Sequence, residues 1–276
     1  MARGTVLGRS TGVLALSILL GLGAGFVGGL FGVGGGIVLV PGMVVLLAVP
    51  QHKAHGTSVA AIIGASTSGA ARLAMDHEVA WDAVAVVLVG AMTGAYFGAR
   101  FMHRISAVWL ARSFVAVAIV AAIRMAAQPE ISGDLLSDRG AGTVASLVIL
   151  GLAASSLATV LGVGGGIVFV PAFVALFAFE QHIAQGTSLA IIVPSMVVGS
   201  VIHSKGGRVD WPLAIILGAG GIVGGFTGAQ VALSLDPSML RRLFAGFLVL
   251  MVIRMLGKTR SRSSEVPSPD RVESEK

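Results

Sequence analysis

The sequence contains the same unit twice, and this duplication constrains the fold more than any other feature. The segment GVGGGIVLVP begins at Gly32, and GVGGGIVFVP begins at Gly162, 130 residues later. The same offset relates the Gly-Thr-Ser triplets at 56–58 and 186–188. The chain is therefore expected to fold as two homologous halves that repeat one arrangement of elements.

The composition predicts that both halves lie in a membrane. Of the 276 residues, 55% are hydrophobic and only 12% are charged, whereas soluble domains carry about 25% charged residues. Eight spanning helices of about 20 residues would use roughly 160 residues, which leaves no room for a soluble enzyme domain. The predicted fold class is an all-α polytopic membrane protein.

Composition also limits the chemistry. The chain has no cysteine, which excludes disulfides, thiolate metal sites and cysteine nucleophiles. Its net charge of +6 comes from scattered Lys and Arg residues, as expected for cytoplasmic loops of a membrane protein. We therefore predict no nucleic-acid partner, no cofactor and no metal site, with the lipid bilayer as the surrounding partner.

The repeat boundaries divide the chain into five segments. These are an N-terminal cytoplasmic segment (1–11), membrane repeat 1 (12–127), an inter-repeat loop (128–141), membrane repeat 2 (142–257) and a polar tail (258–276). Because the tail is rich in Ser, Pro and charged residues, we predict that it is disordered.

Each repeat has four long apolar stretches and one short one. In repeat 1 they cover 12–31, 36–49, 57–75, 81–101 and 108–126. The stretch 36–49 is short for a crossing and contains Pro41. It is either a half-length helix that re-enters the membrane or a short buried span, so the chain has eight to ten membrane helices.

Charge distribution favours the reading in which the short segment crosses and the second repeat is inverted. In that reading the inside carries Arg3, Arg9, Lys53, Arg100, Arg104, Lys205, Arg208, Lys258, Arg260 and Arg262. The outside then carries Asp76, Glu78, Glu130, Asp134, Asp138, Glu180 and Asp236. Arg241 and Arg242 fit this topology poorly. The C-terminus is cytoplasmic in both readings.

The glycine runs are the first candidate binding site. Gly34, Gly35 and Gly36, with Gly164, Gly165 and Gly166, interrupt apolar stretches at matching positions. Such runs favour a helix break, and a half-helix that starts inside the membrane presents free N–H groups and a positive dipole end to an anion. The alternative is close helix packing. A nucleotide-binding loop is disfavoured because no Lys-Ser/Thr follows the glycines.

The Gly-Thr-Ser triplets are the second candidate. Each triplet is expected to open a helix, where its hydroxyls either cap the first turn or complete an oxyanion cage. The residues concerned are Thr57, Ser58, Thr187 and Ser188. A vestibule is suggested by Gln51, His52, Gln181 and His182, for which an interfacial loop is the alternative.

Other polar and glycine positions receive different interpretations. Arg72 and His203 have no polar counterpart in the other repeat, so neither is assigned to a symmetric site. No acidic residue lies mid-span, which argues against a cation pathway. The glycines spaced four apart at 90–98 and 220–228 indicate a helix-packing face.

These motifs resemble the TauE/SafE family of sulfite and organosulfonate exporters. The resemblance rests on GVGGGI-V-VP and the downstream H-x-A-x-GTS pattern, and it extends from about residue 12 to residue 257. The second repeat departs from the first at Gln185, where the first has His55, and at Ile183, where the first has Lys53. The resemblance implies a bacterial inner-membrane permease for small sulfur-containing anions.

The expected function is therefore export of a small sulfur-containing oxyanion, such as sulfite, sulfoacetate or another organosulfonate, by alternating access. A coupling proton or sodium ion and a homo-oligomer are left open. The alternatives are a transporter of another small solute and a non-transporting membrane subunit. The predicted spans lack the carboxylate pair or His-rich cluster that a membrane enzyme would need.

Overall fold

The structure is a computed structural model that describes residues 5–6, 9–101 and 140–263, with side chains for 11–100 and 140–250. The predicted fifth stretch of repeat 1 (108–126) and residues 128–139 of the inter-repeat loop lie outside the described residues, as do 1–4 and 264–276.

The described chain is helical apart from one small strand pair. Strands β1 (Thr5–Val6) and β2 (Arg9–Ser10) are antiparallel. Repeat 1 contributes α1 (Thr11–Phe31), α2 (Gly36–Leu46), α3 (Gln51–Met75) and α4 (Trp81–Phe101). Repeat 2 contributes α5 (Ala141–Leu161), α6 (Gly166–Phe177), α7 (Gln181–Lys205), α8 (Trp211–Ser234) and α9 (Pro237–Ser263).

Five of these helices, α1, α4, α5, α7 and α8, are long and apolar enough to cross a membrane. Helices α2 and α6 are apolar but shorter, with 11 and 12 residues. Because several spanning helices occur in one chain, the protein is a multi-pass membrane protein, as the composition predicts.

Some boundaries differ from the prediction. Helices α3 and α7 begin at Gln51 and Gln181, directly after Pro50 and Glu180, and not at the Gly-Thr-Ser triplets. The intervening Gln, His, Lys and Ala residues tolerate helix well, so the polar segment extends the helix. The triplets therefore lie in the second helical turn, and the interpretation that their hydroxyls cap the first turn is wrong.

Helix α9 also extends beyond its predicted limit. It continues to Ser263, whereas the polar tail was expected to begin at 258. Lys and Arg are good helix formers, which lets a helix continue past an apolar span.

The first helix of each repeat packs against the fourth helix of the other repeat. Along α8, β-carbons added at Gly220, Gly224 and Gly228 would overlap the carbonyl oxygens of Ile18, Leu22 and Phe26. Along α4, β-carbons at Gly90, Gly94 and Gly98 would overlap those of Val148, Leu152 and Ser156. The predicted packing faces are confirmed, because only glycine permits this approach of backbones.

Contacts between glycines and their neighbours fix the relative helix directions. Helices α1 and α8 run parallel through Gly21–Leu217 and Gly25–Gly221, and α3 and α8 run parallel through Gly64–Gly218 and Gly69–Gly225. Helices α3 and α7 run antiparallel through Gly69–Leu189 and Gly199–Val59. Thus α1, α3 and α8 share one direction, and α7 runs in the opposite direction.

Since α1 and α3 point the same way, the chain must return between them, and α2 makes this return. Gly35, the residue before α2, lies against Ala24, and Gly42 within α2 lies against Leu20, so α2 runs back along α1. An 11-residue helix is about 16 Å long, roughly half of a hydrocarbon core.

The helix ends define two faces of the molecule. One face holds the starts of α1, α3 and α8 with the ends of α4, α5 and α7, and among the residues whose side chains are described it carries Lys53, Arg100, Lys205 and Arg208. The opposite face holds Asp76, Glu78, Asp82, Glu180 and Asp236. We call them the basic face and the acidic face. Asp210 lies at the basic face, and Arg72, Arg241 and Arg242 lie towards the acidic face.

Candidate functional site

Both glycine runs break the helix, as predicted. Gly34 and Gly35 have φ angles of 80° and 87°, and Gly164 and Gly165 have φ angles of 94° and 78°. Residues other than glycine rarely adopt φ angles in this left-handed region. The backbone therefore turns at these residues, and the half-helices α2 and α6 begin immediately after them.

The two breaks lie against each other. A β-carbon on Gly36 would overlap the Gly162 carbonyl oxygen, and one on Gly166 would overlap the Gly32 carbonyl oxygen. A β-carbon on Gly164 would lie 3.9 Å from the Gly34 α-carbon. The structure therefore brings together the six glycines of the first candidate site, three from each repeat.

The half-helices start without side-chain caps. In α2, the Val38 and Leu39 N–H groups both donate to the Gly35 carbonyl at 3.1 Å. In α6, the Val168 and Phe169 N–H groups donate to the Gly165 carbonyl at 2.9 and 3.0 Å. Gly35 and Gly165 make no side-chain cap hydrogen bond.

The amides just before these bonded groups remain available. Among the described residues, no acceptor is found for the N–H groups of Gly36 and Ile37 or of Gly166 and Ile167. These groups form the positive ends of two half-helix dipoles. Two such ends side by side favour an anionic ligand over a cationic one.

The atoms nearest to Gly34 belong to two apolar side chains and one hydroxyl. Ile62 and Ile192, which occupy equivalent positions in the two repeats, both lie within 3.6 Å of a β-carbon placed on Gly34. Ser66 Oγ lies 3.0 Å from the same point, is fully buried and has no partner among the described residues. The equivalent of Ser66 in repeat 2 is the buried Met196. Ser66 was not among the site residues predicted from the sequence.

The serines of the triplets connect the two repeats. Ser58 Oγ donates to the Gly162 carbonyl at 2.8 Å, and Ser188 Oγ donates to the Gly32 carbonyl at 2.8 Å. Each serine thus binds the first glycine of the break in the other repeat. Because a serine hydroxyl has one hydrogen, neither serine can donate to an anion while this bond is present.

The threonines make a second pair of connections between repeats. Thr57 Oγ1 accepts from the Asp210 N–H at 3.0 Å, and Thr187 Oγ1 accepts from the Ala80 N–H at 3.0 Å. Both threonines are fully buried. Their hydroxyl hydrogens are not used in these bonds, so the threonines, unlike the serines, can still donate.

The predicted vestibule residues lie at opposite faces. Gln51 and His52 are exposed at the basic face. Gln181 and His182 are buried at the acidic face, where His182 Nε2 lies 3.0 Å from the Ala232 carbonyl oxygen. The structure does not bring these two pairs together.

Gln181 and Gln185 occupy successive turns of α7 and are both buried. All four of their side-chain amide atoms lack a partner in the described part of the chain. At the equivalent position in repeat 1, His55 Nδ1 lies 2.6 Å from the Leu161 carbonyl oxygen. The sequence shows the His-to-Gln difference, but only the fold shows that it leaves an amide unpaired.

A charge difference between the repeats was also overlooked. Glu78 and Arg208 occupy equivalent positions, one at each face. Burial raises the pKa of the Glu78 carboxyl above its ordinary value of 4.5; nearby Glu180 and Asp76 raise it further, and His182 opposes the shift. The offset of 130 residues would have revealed this pair, because it aligns an acid with a base.

No group of three or more His, Asp or Glu side chains that could hold a metal ion occurs in the residues that the structure describes. The polar atoms of the site are instead backbone amides, hydroxyls and side-chain amides, with histidine and arginine at the basic face.

Known proteins are similar in sequence to this chain across most of its length. A probable membrane transporter protein of Haemophilus influenzae is 29% identical over 266 residues, which cover 89% of this chain and 98% of the relative. YunE of Bacillus subtilis, also a probable membrane transporter protein, is 28% identical over 261 residues, covering 87% and 96% of the two chains. MJ0441 of Methanocaldococcus jannaschii, with the same description, is 27% identical over 260 residues, covering 88% and 96%.

No solved structure matches the chain significantly. The family model described as "Sulfite exporter TauE/SafE" matches residues 3–127 and 147–274, which include nearly all of both repeats. Like the relatives, whose names describe membrane transporters, the chain belongs to the TauE/SafE family.

Proposed function

We propose that this protein is an inner-membrane permease that exports a small sulfur-containing oxyanion, such as sulfite, sulfoacetate or another organosulfonate. The observation that carries the proposal is the meeting of two uncapped half-helix starts, at Gly34–Gly36 and Gly164–Gly166. Broken helices in corresponding halves of a transporter mark its central binding site, and their N-termini bind anionic groups.

We further propose that the two repeats are inverted relative to each other. Helices α3 and α7 are equivalent in sequence and run antiparallel, whereas α1 and α3 of one repeat run parallel. This arrangement suits five crossings in each repeat, with α2 and α6 as half-length helices, and a pseudo-two-fold axis in the membrane plane. The two breaks would lie near that axis.

The charges of the two faces support an orientation. Lys53, Arg100, Lys205 and Arg208 share one face, and cytoplasmic loops are enriched in such residues. With the basic face in the cytoplasm, α9 begins outside and leads the C-terminus inside. An inside-negative potential then favours anion efflux by about 2.3 kcal/mol per elementary charge per 100 mV. A coupling proton or sodium ion is therefore not required for export.

The glycine contacts suggest which bodies move during alternating access. Helix α1 lies against α8 of the other repeat, and α5 lies against α4, through backbone contacts that leave no room for sliding. Each moving body would therefore contain helices from both repeats. The gap that opens would lie between the α1–α8 pair and the α4–α5 pair.

We assign different roles to the predicted site residues. The amides of Gly36, Ile37, Gly166 and Ile167, at the two half-helix starts, would bind the anion, and Thr57 and Thr187 would donate their remaining hydroxyl hydrogens to it. Ser58 and Ser188 would hold the breaks in position through their bonds to the glycine carbonyls.

Counterflow in proteoliposomes tests the proposal. Purified protein is reconstituted into liposomes that are loaded with unlabelled sulfite. Uptake of labelled sulfite, sulfoacetate, thiosulfate and sulfate is then measured with and without an imposed membrane potential. We expect counterflow with at least one oxyanion and an effect of the potential on net flux. Absence of flux with every oxyanion would instead favour a neutral solute or a non-transporting subunit.

Removing the polar tail by ending the chain at Gly257 separates these last two alternatives. A permease for a neutral solute should retain its flux without the tail, whereas a subunit that binds a partner through the tail should lose the partner.

A glycine variant tests the site itself. The atoms nearest to a β-carbon on Gly165 would be side-chain atoms of Ala158 and Phe169 at 3.1 Å, whereas a β-carbon on Gly35 would overlap the Ala24 carbonyl oxygen. Gly165→Ala is therefore the milder change, and we expect it to reduce flux while the protein still inserts. Gly142→Ala, where a β-carbon meets nothing within 4 Å, is the matched control and should transport normally.

A further inference from the structure

We propose that Arg208 and His203 form a loading site that binds the oxyanion at the basic face before it reaches the glycine breaks. This inference rests on the proposed function and adds to it a face, two residues and a narrower class of ligand. Neither residue lies in a glycine break or in a Gly-Thr-Ser triplet.

The two residues occupy one corner of the fold, where α5 and α7 end and α3 and α8 begin. His203 Nε2 lies 3.2 Å from the Thr159 carbonyl oxygen in the last turns of α5. The Arg208 N–H donates to the His203 carbonyl at 3.1 Å. Arg208 also lies against Gly56 of α3 through its own carbonyl group. Four helices therefore fix the positions of both residues.

Each residue carries a buried polar atom without a partner. His203 is fully buried, and its Nδ1 has no hydrogen-bond partner within the described residues. The Nε atom of Arg208 is also buried and unpartnered there. The Arg208 guanidinium lies over Gly206, with an Nη atom 2.7 Å from where a β-carbon would be. Buried groups of this kind cost free energy unless a ligand or water pairs with them.

Other charged and titratable groups also lie in this corner. The Asp210 carboxylate accepts from the Leu213 N–H at 3.1 Å and so begins α8. Lys53 and Lys205 are exposed. His55 bonds the Leu161 carbonyl and, with Arg208, lies near enough to act on His203 electrostatically. The local charge is therefore predominantly positive, which favours an anion.

The two unpartnered atoms, His203 Nδ1 and Arg208 Nε, differ in whether they accept or donate a hydrogen bond, and this difference limits the class of ligand that fits. The Thr159 carbonyl can only accept, so His203 Nε2 carries the hydrogen and Nδ1 has a lone pair. The Arg208 Nε–H is a donor. A donor on Arg208 and an acceptor on His203, whose backbones are hydrogen-bonded to each other, fit an oxyanion that retains one proton, such as hydrogen sulfite. Its charged oxygen would accept from Arg208, and its hydroxyl would donate to His203.

The opposite face lacks this pair. The residues equivalent to Arg208 and His203 in repeat 1 are Glu78 and Leu73, at the acidic face. A carboxylate there repels an anion, and leucine provides no acceptor. The asymmetry would promote binding at the basic face and release at the acidic face, which matches the direction of export.

Kinetics from each face of the membrane test the loading site. Arg208→Gln and the control Lys205→Gln each remove one positive charge from the same face, three residues apart. Sulfite flux is measured in phosphatidylcholine proteoliposomes of known orientation. For Arg208→Gln, we expect the half-saturation concentration from the basic face to rise about tenfold, the size of one lost charge-assisted hydrogen bond. It should remain within about twofold of the original from the acidic face.

Three results would overturn the loading site. One is an equal change for Arg208→Gln and Lys205→Gln, which would indicate a general charge effect. Another is an effect of Arg208→Gln that appears only when phosphatidylglycerol is added, which would mean that Arg208 binds a lipid headgroup. The third is an equal effect from both faces. Arg208→Lys, which keeps the charge, should recover part of the affinity. The unchanged half-saturation concentration of Arg208→Gln from the acidic face shows that this variant still folds.

The proton on the ligand is tested separately at His203. His203→Leu copies the residue found at the equivalent position of repeat 1. Near neutral pH, sulfite is partly protonated and sulfoacetate is not, so His203→Leu should weaken sulfite more than sulfoacetate. Equal weakening of both would overturn the assignment of His203 as acceptor for the anion's hydroxyl. If the unaltered protein transports no oxyanion, the proposed function fails, and the loading site fails with it.

Discussion

Ser58 Oγ donates a hydrogen bond of 2.8 Å to the Gly162 carbonyl, across a sequence separation of 104 residues. Ser188 makes the same bond to Gly32 in the opposite sense. Each glycine run is therefore held by a hydroxyl from the other repeat. These two bonds explain why the triplet and the glycine run occur together in both halves. The triplet of each repeat binds the glycine run of the other repeat, so both repeats need both motifs.

Removing either serine should destabilise the protein. Ser58→Ala or Ser188→Ala would leave a buried glycine carbonyl without its donor, and we expect the free energy of unfolding to fall by about 1–3 kcal/mol. Thermal unfolding in detergent measures the change. Ser195→Ala is the matched control for Ser188, because Ser195 is also buried in α7 but bonds the carbonyl of Ile191 in its own helix. Comparable losses in Ser188→Ala and the control would contradict the cross-repeat role.

The contact between α1 and α8 should not tolerate a methyl group. In Gly224→Ala the new β-carbon would overlap the Leu22 carbonyl oxygen, so we expect a loss of about 1–3 kcal/mol from overpacking. Gly23→Ala, in α1, places a β-carbon where nothing lies within 4 Å, and its unfolding temperature should not fall. If both variants unfold at the same temperature, the close approach of the backbones is not needed for stability.

Replacing Gln185 should stabilise the protein when no substrate is bound. Gln185→Met keeps the shape of the side chain and removes two buried amide atoms that lack partners, so the unfolding temperature should rise. Gln230→Met is the control, because Gln230 accepts a hydrogen bond from Arg72 Nε and its loss should not stabilise. A lower unfolding temperature for Gln185→Met would mean that the amide is paired, for example with ordered water.

Glu78 should make stability depend on pH. Burial raises the pKa of Glu78 above 4.5 in the folded protein, so folding favours the protonated carboxyl. The stabilising contribution is fully present below pH 4.5 and is lost as the pH rises through the raised pKa. In Glu78→Gln this loss disappears, so its unfolding temperature should fall less than that of the unaltered protein as the pH rises from 4.5.

Asp82→Asn, which also removes a carboxylate from the acidic face, serves as the control for Glu78. It should keep the pH dependence of the unaltered protein. The assignment to Glu78 is refuted if both variants change the pH profile equally.

Several features of the fold were predictable because they depend on composition and spacing. The low charge predicted the membrane helices, and five long apolar helices are present in the described residues. The glycines at 32–36 and 162–166 predicted the breaks, because a run of residues without β-carbons in an apolar segment disfavours continuous helix. The glycines spaced four residues apart at 220–228 predicted the packing face, since residues four apart lie on one side of a helix.

The roles of individual polar residues were less predictable. Thr57 and Ser58 were expected at a helix start, yet the helix begins at Gln51 and the hydroxyls reach the other repeat. A hydroxyl near a helix start has several available partners, and the sequence does not specify which backbone group lies opposite. His203 was set aside because it has no symmetric counterpart. It lies beside Arg208 only because α7 ends where α8 begins.

Apolar length, the repeat offset and the glycine runs are properties of the chain alone, and they were enough to predict a duplicated, helical membrane protein with a glycine break in each half. The folded molecule adds that the two breaks meet, that a serine of the other repeat is hydrogen-bonded to each of them, and that the aligned residues Glu78 and Arg208 lie at opposite faces. Those relationships depend on which surfaces of distant segments come into contact, and contact between segments more than 100 residues apart is set by packing of the whole molecule.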